Sequence, residues 1–457
     1  MATDRLRFLA PLAWVDGGWA RDVLLEAGAD GHWISITPNS LPASRSGARV
    51  LGGPVLPGLV NAHSHAFQRV IAGLTESSGA GEDDFWRWRD RMYSVANRVT
   101  PQQLEAIATY LYSELLDAGY TQVCEFQYLH NDVGGKPFAA PADMSLALAR
   151  AAQTSGIGLT LLPTLYMRSG FGAAGLRPDQ QRFSSTPDSV LRIGEVLDAL
   201  AQPLLQAGVA LHSLRAVDTA GLMEVAAAAR GRMPLHIHIA EQQQEVTDCV
   251  AAHGQRPVEW LLEHAAIDAS WNLVHATQTT PSELAGVAAA GASIVICPST
   301  EANLGDGVFN LPDWLGRKAD WSIGSDSHVT RSWQEELRLL EYSQRLTLRQ
   351  RNLAARAGQR DSTAAVLFDG ALAGGSAAAG LALGGLRAGQ RADFMVVDRD
   401  SPALLGVPGA QLLDALVFST PHAPVGQVHV AGRPVQPLAQ RPELTAAMRE
   451  AMRSLWG

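Results

Sequence analysis

Between residues 58 and 369 the chain alternates short apolar runs with amphipathic stretches, and this alternation restricts the possible fold more than any other feature. Eight runs read as strands: Leu59–Ala62, Gln122–Phe126, Leu159–Leu165, Val209–Leu214, Leu235–Ile239, Asn272–Val274, Ser293–Cys297 and Trp321–Gly324. Helix starts separate several of them. Thr100-Pro101, Thr186-Pro187 and Thr280-Pro281 each place a threonine N-cap before a proline suited to the first helical turn. Gln103 completes a capping box with Thr100, and Gly119 closes that helix. Eight strands with intervening helices predict an α/β fold, a distorted (β/α)8 TIM-type barrel with insertions.

The two ends of the chain have a different texture. Leu6–Ala10 and Ala13–Gly18 near the start, and Gly389–Asp398 and Gly426–Arg433 near the end, read as short antiparallel strands with glycine turns. A small β-sandwich domain assembled from residues 1–57 and 370–457, the latter with a terminal helix, is therefore expected beside a barrel of 58–369. Two unrelated edge hairpins are the alternative. The stretch around Gly370–Gly385, rich in Ala and Gly, reads as a linker.

Composition narrows the partners. A net charge of −9 argues against a broad surface for nucleic acid or anionic membrane, while leaving room for one arginine-lined pocket. Cys124, Cys249 and Cys297 form no C-x-x-C and read as buried or isolated thiols in a reducing compartment. The N-terminus lacks an apolar leader and no run of apolar residues is long enough for a membrane span, so a cytoplasmic protein is expected.

In such a barrel, functional groups gather where strands end at the C-terminal face. The first strand runs into His63-Ser64-His65, whose two histidines point to the same side of an extended chain. The fifth ends His236-Ile237-His238-Ile239-Ala240-Glu241, the sixth Leu273-Val274-His275 and the eighth Ile323-Gly324-Ser325-Asp326. Histidines with an aspartate suit a zinc-like ion that keeps an open position for water. His236 and His238 share a face, so alternation does not choose between them; His238 is nearer the strand end and is read as the ligand, with His236 packing below. Glu241 is placed over the water as a proton shuttle, the plainer alternative being a solvated carboxylate at a helix start. The only lysines, Lys136 and Lys318, lie away from the C-terminal ends of the strands, which favours one metal ion over a lysine-bridged pair.

His63-x-His65, His238, His275 and Asp326, in this order on successive strands, resemble the metal signature of the amidohydrolase superfamily. Pro57–His63 and Gly389-x-x-Ala392-Asp393-Phe394 resemble its passages between β-sandwich and barrel, and His238-x-x-Glu241 without a bridging lysine resembles its mononuclear deaminase branch. Within that branch, His63–Arg69, Cys124–His130 and Pro298–Gly307 resemble the formimidoylglutamate deiminase family. The resemblance implies a small acidic substrate, N-formimidoyl-L-glutamate, hydrolysed to N-formyl-L-glutamate and ammonia in histidine degradation. It also implies one divalent cation, Zn2+ or Fe2+, a homodimer, and substrate contacts from Gln68, Arg89, Tyr128, His212 and Arg215. Arg89 shares its stretch with Arg87 and Arg91, and the choice among the three stays open. Two arginines match the two carboxylates of such a substrate, since a guanidinium binds a carboxylate through paired hydrogen bonds.

On this reading Asp326 takes a proton from a metal-activated water, His275 orients that water and Glu241 passes a proton to the departing nitrogen. A deaminase of a guanine- or adenosine-like heterocycle would share the metal set but need an aromatic slot and fewer arginines. A catalytically silent scaffold on the same fold would have no chemical need for the complete set.

Overall fold

The computed structural model describes residues 5–76, 85–421 and 424–457, with the side chains of 85–87 outside the description. The chain begins with β1 (Leu6–Val15) and β2 (Gly18–Ala27), an antiparallel hairpin turned at Asp16-Gly17, where both residues have positive φ. β3 (Trp33–Thr37), β4 (Arg49–Val50) and β5 (Val55–Pro57) extend the same sheet.

From there the chain enters the barrel. Its parallel strands are β6 (Leu59–Ser64), β7 (Tyr120–Gln127), β8 (Gly158–Leu165), the short edge strand β9 (Leu205–Ala207), β10 (Val209–Leu211), β11 (Leu235–Ile239), β12 (Trp271–His275), β13 (Ser293–Ile296) and β14 (Trp321–Ile323). Neighbours run in chain order from β6 to β14, with β9 pairing only β8. The predicted caps are present: Thr100, Thr186 and Thr280 each accept a hydrogen bond from the backbone three residues on, ahead of Pro101, Pro187 and Pro281. The fourth strand is shorter than predicted. It ends at Leu211, because Ser213 O accepts from the amides of Ala216 and Val217 and turns the chain, leaving His212 just beyond the strand.

β15 (Phe394–Val397), β16 (Val425–Val430) and β17 (Arg433–Pro434) return to the first sheet, where β15 pairs antiparallel with β5. Both chain ends thus build one eight-stranded sheet in the order β17-β16-β15-β5-β1-β2-β3, with β4 on β1. It encloses a small core of its own that includes Phe8, Val23, Leu25, Trp33, Val55 and Phe394. The terminal helix Pro442–Trp456 packs elsewhere, against the barrel helix Pro101–Ala118; the Gln103 amide donates to Ser454 Oγ and the Trp456 indole to Val70 O. No helix among the described residues is long and apolar enough to cross a membrane.

The Gly370–Gly385 stretch differs from its reading as a linker. Residues Thr363–Ala379 form a largely buried helix laid against β6, β13 and β14, and it crosses the 369/370 position. Its small residues serve close approach: a Cβ on Gly374 would overlap the backbone of Trp321, and one on Gly375 would press on Val60. Composition that elsewhere signals flexibility here lets a helix backbone touch strands directly. Replacing Gly374 with Ala is expected to destabilise the protein by about 3 kcal/mol, the upper range for overpacking. Gly194→Ala, in the helix Pro187–Ala199 with nothing within 4 Å of the new Cβ, is expected to stabilise by about 0.5–1 kcal/mol. Urea denaturation of both variants checks the pair, and equal effects would contradict the packing account.

Candidate metal centre and substrate pocket

The site begins with backbone pairing. β6 and β14 do not form a full ladder, but the barrel closes at their C-terminal ends through a Ser64–Asp326 bridge. The Asp326 amide donates to His63 O at 3.0 Å, and the His65 amide donates to Asp326 O at 3.2 Å. The close approach requires glycine at 324, where a Cβ would lie 2.6 Å from the His63 Cβ. Asp326 and His275 both have left-handed backbones, with φ of 45° and 71°. Strain of that kind persists only where surrounding structure holds it. Here the holders are buried: Asn61 exchanges hydrogen bonds with Ser325 at 2.7 and 2.8 Å, and Ser325 Oγ lies 3.0 Å from His328 Nδ1. On the other side Glu125 accepts from Ser64 Oγ at 2.6 Å and from the Ala66 amide.

This scaffold converges four side chains. His63 Nε2 lies 3.1 Å from His65 Nε2 and 3.0 Å from His238 Nε2, and Asp326 Oδ1 lies 3.4 Å from both His63 and His65. His65 Nδ1 faces Phe126 O at 2.9 Å and His238 Nδ1 faces His212 O at 3.0 Å. A carbonyl requires a donor, so both rings carry their proton on Nδ1 and turn a bare Nε2 lone pair inward. Lone pairs crowded at about 3 Å repel unless a cation sits among them, and donors around a zinc ion at 2.0–2.1 Å stand about 3.3 Å apart. The residues therefore fit one divalent cation. Burial lowers the basicity of all three histidines, His63 to about 3, which keeps them neutral and able to ligate. Burial alone would raise the Asp326 pKa, but its hydrogen bond to His63 and the nearby imidazoles hold it low, so it stays a carboxylate.

His236 lies lower on β11 and contacts Ala378 O at 2.9 Å, in the core below the cluster. His275 stands beside it: its Nε2 is 3.8 Å from Glu241 Oε1 and 3.9 Å from Asp326 Oδ2, and its Nδ1 is 3.3 Å from Glu301 Oε1. Glu301, from the helix Pro298–Leu304, also accepts from the Cys297 amide at 2.9 Å. Burial raises the Glu241 carboxyl to about 7, within range for proton exchange at neutral pH. Its neighbours are acidic too. Glu245 accepts from the Glu241 amide at 3.1 Å, and Asp306, raised to about 9 by burial and by Glu241, accepts from the Gln242 side chain. Lys136 and Lys318 lie in a loop and at a helix end, and neither lines this pocket.

Gln68, Arg89, Tyr128, His212 and Arg215 line the pocket that opens onto the cluster, together with Trp88, Met92, Tyr93, Tyr166 and Leu304. The Gln68 amide donates to Tyr128 OH at 3.2 Å, and the Tyr128 ring packs edge-on against His65 at 5.1 Å. His212 is held neutral by burial and by Arg215. Arg89 has its pKa lowered by burial and by nearby Arg177 and Arg215, a crowding of positive charge that favours an anion. Among the three candidate arginines, Arg89 lines the pocket, Arg91 donates to Thr75 O at 2.7 Å, and the Arg87 side chain lies outside the described residues. A cavity of about 750 Å³ lies elsewhere, where β16 and β17 meet the edge of the barrel, but its lining carries no histidine, cysteine or glutamate.

Glu301, Glu245, Asp306, Tyr93 and Tyr166 were not singled out individually by the sequence reading. Tyr166 is within reach of the strand-end rule, being the first residue after β8, and Glu245 lies four residues beyond Glu241, in the first turn of the helix Gln243–His253.

The chain is similar to known proteins along most of its length. The family description "Amidohydrolase family" matches residues 55–435. The chain is 48% identical over 428 residues, 93% of each chain, to a formimidoylglutamate deiminase of Pseudomonas aeruginosa. It is 26% identical over 409 residues, 87% of this chain and 85% of the other, to a 5-methylthioadenosine/S-adenosylhomocysteine deaminase of Natronomonas pharaonis. A crystal structure of an amidohydrolase from Brucella melitensis superposes with a TM-score of 0.92 at 41% identity, covering 99% of this chain and 100% of that one. With a family match that spans most of its length and a relative this similar, the chain belongs to the amidohydrolase family.

Proposed function

We propose that the protein hydrolyses N-formimidoyl-L-glutamate to N-formyl-L-glutamate and ammonia, in the course of histidine breakdown. The observation that carries this reading is one pocket that joins a histidine–aspartate cluster to two arginines, Arg215 buried and Arg89 half-buried, in a chain 48% identical to a formimidoylglutamate deiminase. His63, His65, His238 and Asp326 would hold one divalent cation, zinc or iron(II) by ligand type. Such a cation supplies Lewis acidity and lowers the pKa of water toward neutrality.

The chain's own residues do the rest. Asp326, kept ionised, accepts the proton of the attacking water. His275, tethered through Nδ1 to Glu301, orients that water with Nε2. Glu241, near neutrality in its pKa, delivers a proton to the nitrogen that leaves as ammonia. The amidine is cationic at neutral pH, so the neighbouring carboxylates of Glu241 and Glu245 also favour that end of the substrate electrostatically, whereas Asp306, raised to about 9, is protonated there. Arg89 and Arg215 take up its carboxylates, Gln68 and Tyr128 position it as a hydrogen-bonded pair, and neutral His212 completes the wall. The same resemblance points to a homodimer, which light scattering tests, and three cysteines without a C-x-x-C favour a reducing compartment such as the cytoplasm.

A purine-type deaminase is the second reading, favoured by the aromatic lining of Trp88, Tyr93, Tyr128 and Tyr166 and by the 26% identical relative. Ammonia release from N-formimidoyl-L-glutamate, measured against guanine and 5-methylthioadenosine, separates the two.

Asp326→Asn and Glu241→Gln are each expected to lower kcat by about 10²–10⁴-fold, and near-normal turnover in either purified variant would remove that residue from its role. Arg215→Met is expected to raise KM with a smaller change in kcat, because it binds ground and transition states alike. An unchanged KM would take Arg215 out of the substrate pocket. Chelation is expected to abolish ammonia release and to lower the Tm, both restored by added zinc, since a ligand of the folded state alone stabilises by mass action. A Tm indifferent to chelation would argue against an ion among these histidines.

A further inference from the structure

Two phenols in the pocket wall have no part in the steps above. Tyr93, on the helix Phe85–Ala96, and Tyr166, just past β8, line the pocket and are 5% and 3% exposed. Their hydroxyl oxygens are 3.3 Å apart. Gln180, fully buried in the turn Pro178–Phe183, sets its amide nitrogen 3.2 Å from Tyr93 OH and 3.1 Å from Tyr166 OH. The orientation of that amide is forced, because Gln180 Oε1 accepts from the Arg177 amide at 3.1 Å, which a nitrogen could not do.

Both hydrogens of the Gln180 amide are therefore spent on the phenol oxygens. Each phenol keeps its own O–H. Without a ligand one of these can point at the other oxygen and the second finds no acceptor among the described residues; a ligand with two acceptor oxygens takes both. A buried donor without a partner is costly, so the arrangement calls for an acceptor from a ligand. The surroundings specify its charge: the Arg89 guanidinium stands 5.5 Å from the Tyr93 ring centre, and Arg215 lines the same pocket.

Position indicates which part of the substrate arrives here. His212 lies between the metal cluster and the phenols, its ring 5.2 Å from His238 and 4.3 Å from Tyr166. The α-carboxylate, two bonds from the nitrogen that the formyl product keeps, is tied close to the reacting carbon and so to the cluster, whereas the side-chain carboxylate, two methylenes further along, has the length to pass His212. We propose that Tyr93 and Tyr166, oriented by Gln180, bind the side-chain carboxylate of the substrate between Arg89 and Arg215 and select a dicarboxylate over its mono-amide. An amide would turn NH2 donors toward phenol and guanidinium donors, leaving them unpaired, and such mismatches discriminate strongly. This deepens the function proposed above and rests on it.

The test compares N-formimidoyl-L-glutamate with N-formimidoyl-L-glutamine, whose side chain ends in a carboxamide, on the full-length metal-loaded enzyme. The wild type is expected to prefer the diacid. Tyr93→Phe and Tyr166→Phe should each raise KM for the diacid about 10- to 100-fold, the effect of losing a hydrogen bond to a charged group, with little change in kcat. The preference for diacid over amide should shrink by the same factor. Gln180→Leu, which leaves both phenols in place but frees them to turn, should also shrink it. Glutarate binding, followed by calorimetry, should weaken in parallel and reads the subsite without turnover. A preference ratio unchanged in both phenylalanine variants overturns the proposal, as does an equal loss on both substrates, the mark of a general structural defect. A wild type that releases no ammonia from N-formimidoyl-L-glutamate overturns the functional reading instead.

Discussion

The paired backbone at the closing seam of the barrel governs the site. Main-chain hydrogen bonds between His63, His65 and Asp326 bring two imidazoles and a carboxylate together before any side-chain attraction operates. That order matters energetically. The facing Nε2 lone pairs of His65 and His238 do not attract and a buried carboxylate is costly to desolvate, so the His63–Asp326 contact works against a tendency of the cluster to open. The seam holds it against that tendency and against left-handed backbone at Asp326 and His275, which costs on the order of 1–3 kcal/mol each. The buried set of Asn61, Ser325, His328, Ser64 and Glu125 offsets the strain through hydrogen bonds worth about 1 kcal/mol apiece. A cation among the histidines would remove the repulsion altogether, so binding and local stability are coupled.

Around this seam the pocket is polarised. Glu241, Glu245, Asp306 and Glu301 gather about His275, Arg89 stands with the phenols, and Arg215 lies between the two groups, feeling the charges of Glu245 and Glu241 as well as Tyr166 and Tyr93. Each carboxylate in the first group is buried, yet none is isolated: Glu245 and Glu301 accept backbone amides, and Asp306 accepts from Gln242. A substrate cationic at its amidine and anionic at its carboxylates meets opposite charge at both ends, in a low dielectric where such matching is strong. A neutral heterocycle gains little from that field. The polarity of the pocket thus favours the amidine reading over the purine reading on grounds separate from sequence identity.

Much of this is legible in the sequence. Alternating apolar runs gave the eight strands, and their last residues gave His63, His65, His238, His275 and Asp326, because strand ends in a parallel barrel share one face. Three threonine–proline pairs marked helix starts, since capping is a local matter. What stayed hidden depends on contacts between distant segments. The Thr363–Ala379 helix reads as a linker, because small residues signal flexibility unless something is known to lie against them. The end of β10 at Leu211 follows from a turn closed by Ser213 O, which no apolar pattern encodes. Glu301 sits in a segment whose resemblance was visible, but its role depends on reaching His275, 26 residues away in the chain. The choice of Arg89 over Arg91 comes from which face of one helix meets the pocket.

The same dependence on distant contacts explains why the pocket wall is firm. Arg182 is fully buried, a position where sequence reasoning would not place an arginine. Its guanidinium donates to the carbonyls of Ala96, Val99 and Asn131, tying the Pro178–Phe183 turn to the end of the helix that carries Arg89 and Tyr93. Burial lowers its pKa to about 10, which still leaves it charged at neutral pH, and carbonyl oxygens supply the solvation that water would otherwise give. Asn97 reinforces the tie by donating to Asp179 O at 2.9 Å and to Tyr93 O at 3.0 Å. Replacing such a charge-assisted anchor would leave several carbonyls unpaired at once, so the helix cannot drift without large cost. The arginine and phenol it carries are therefore presented in fixed geometry, and selection among substrates falls to hydrogen-bond matching rather than to adjustment of the wall.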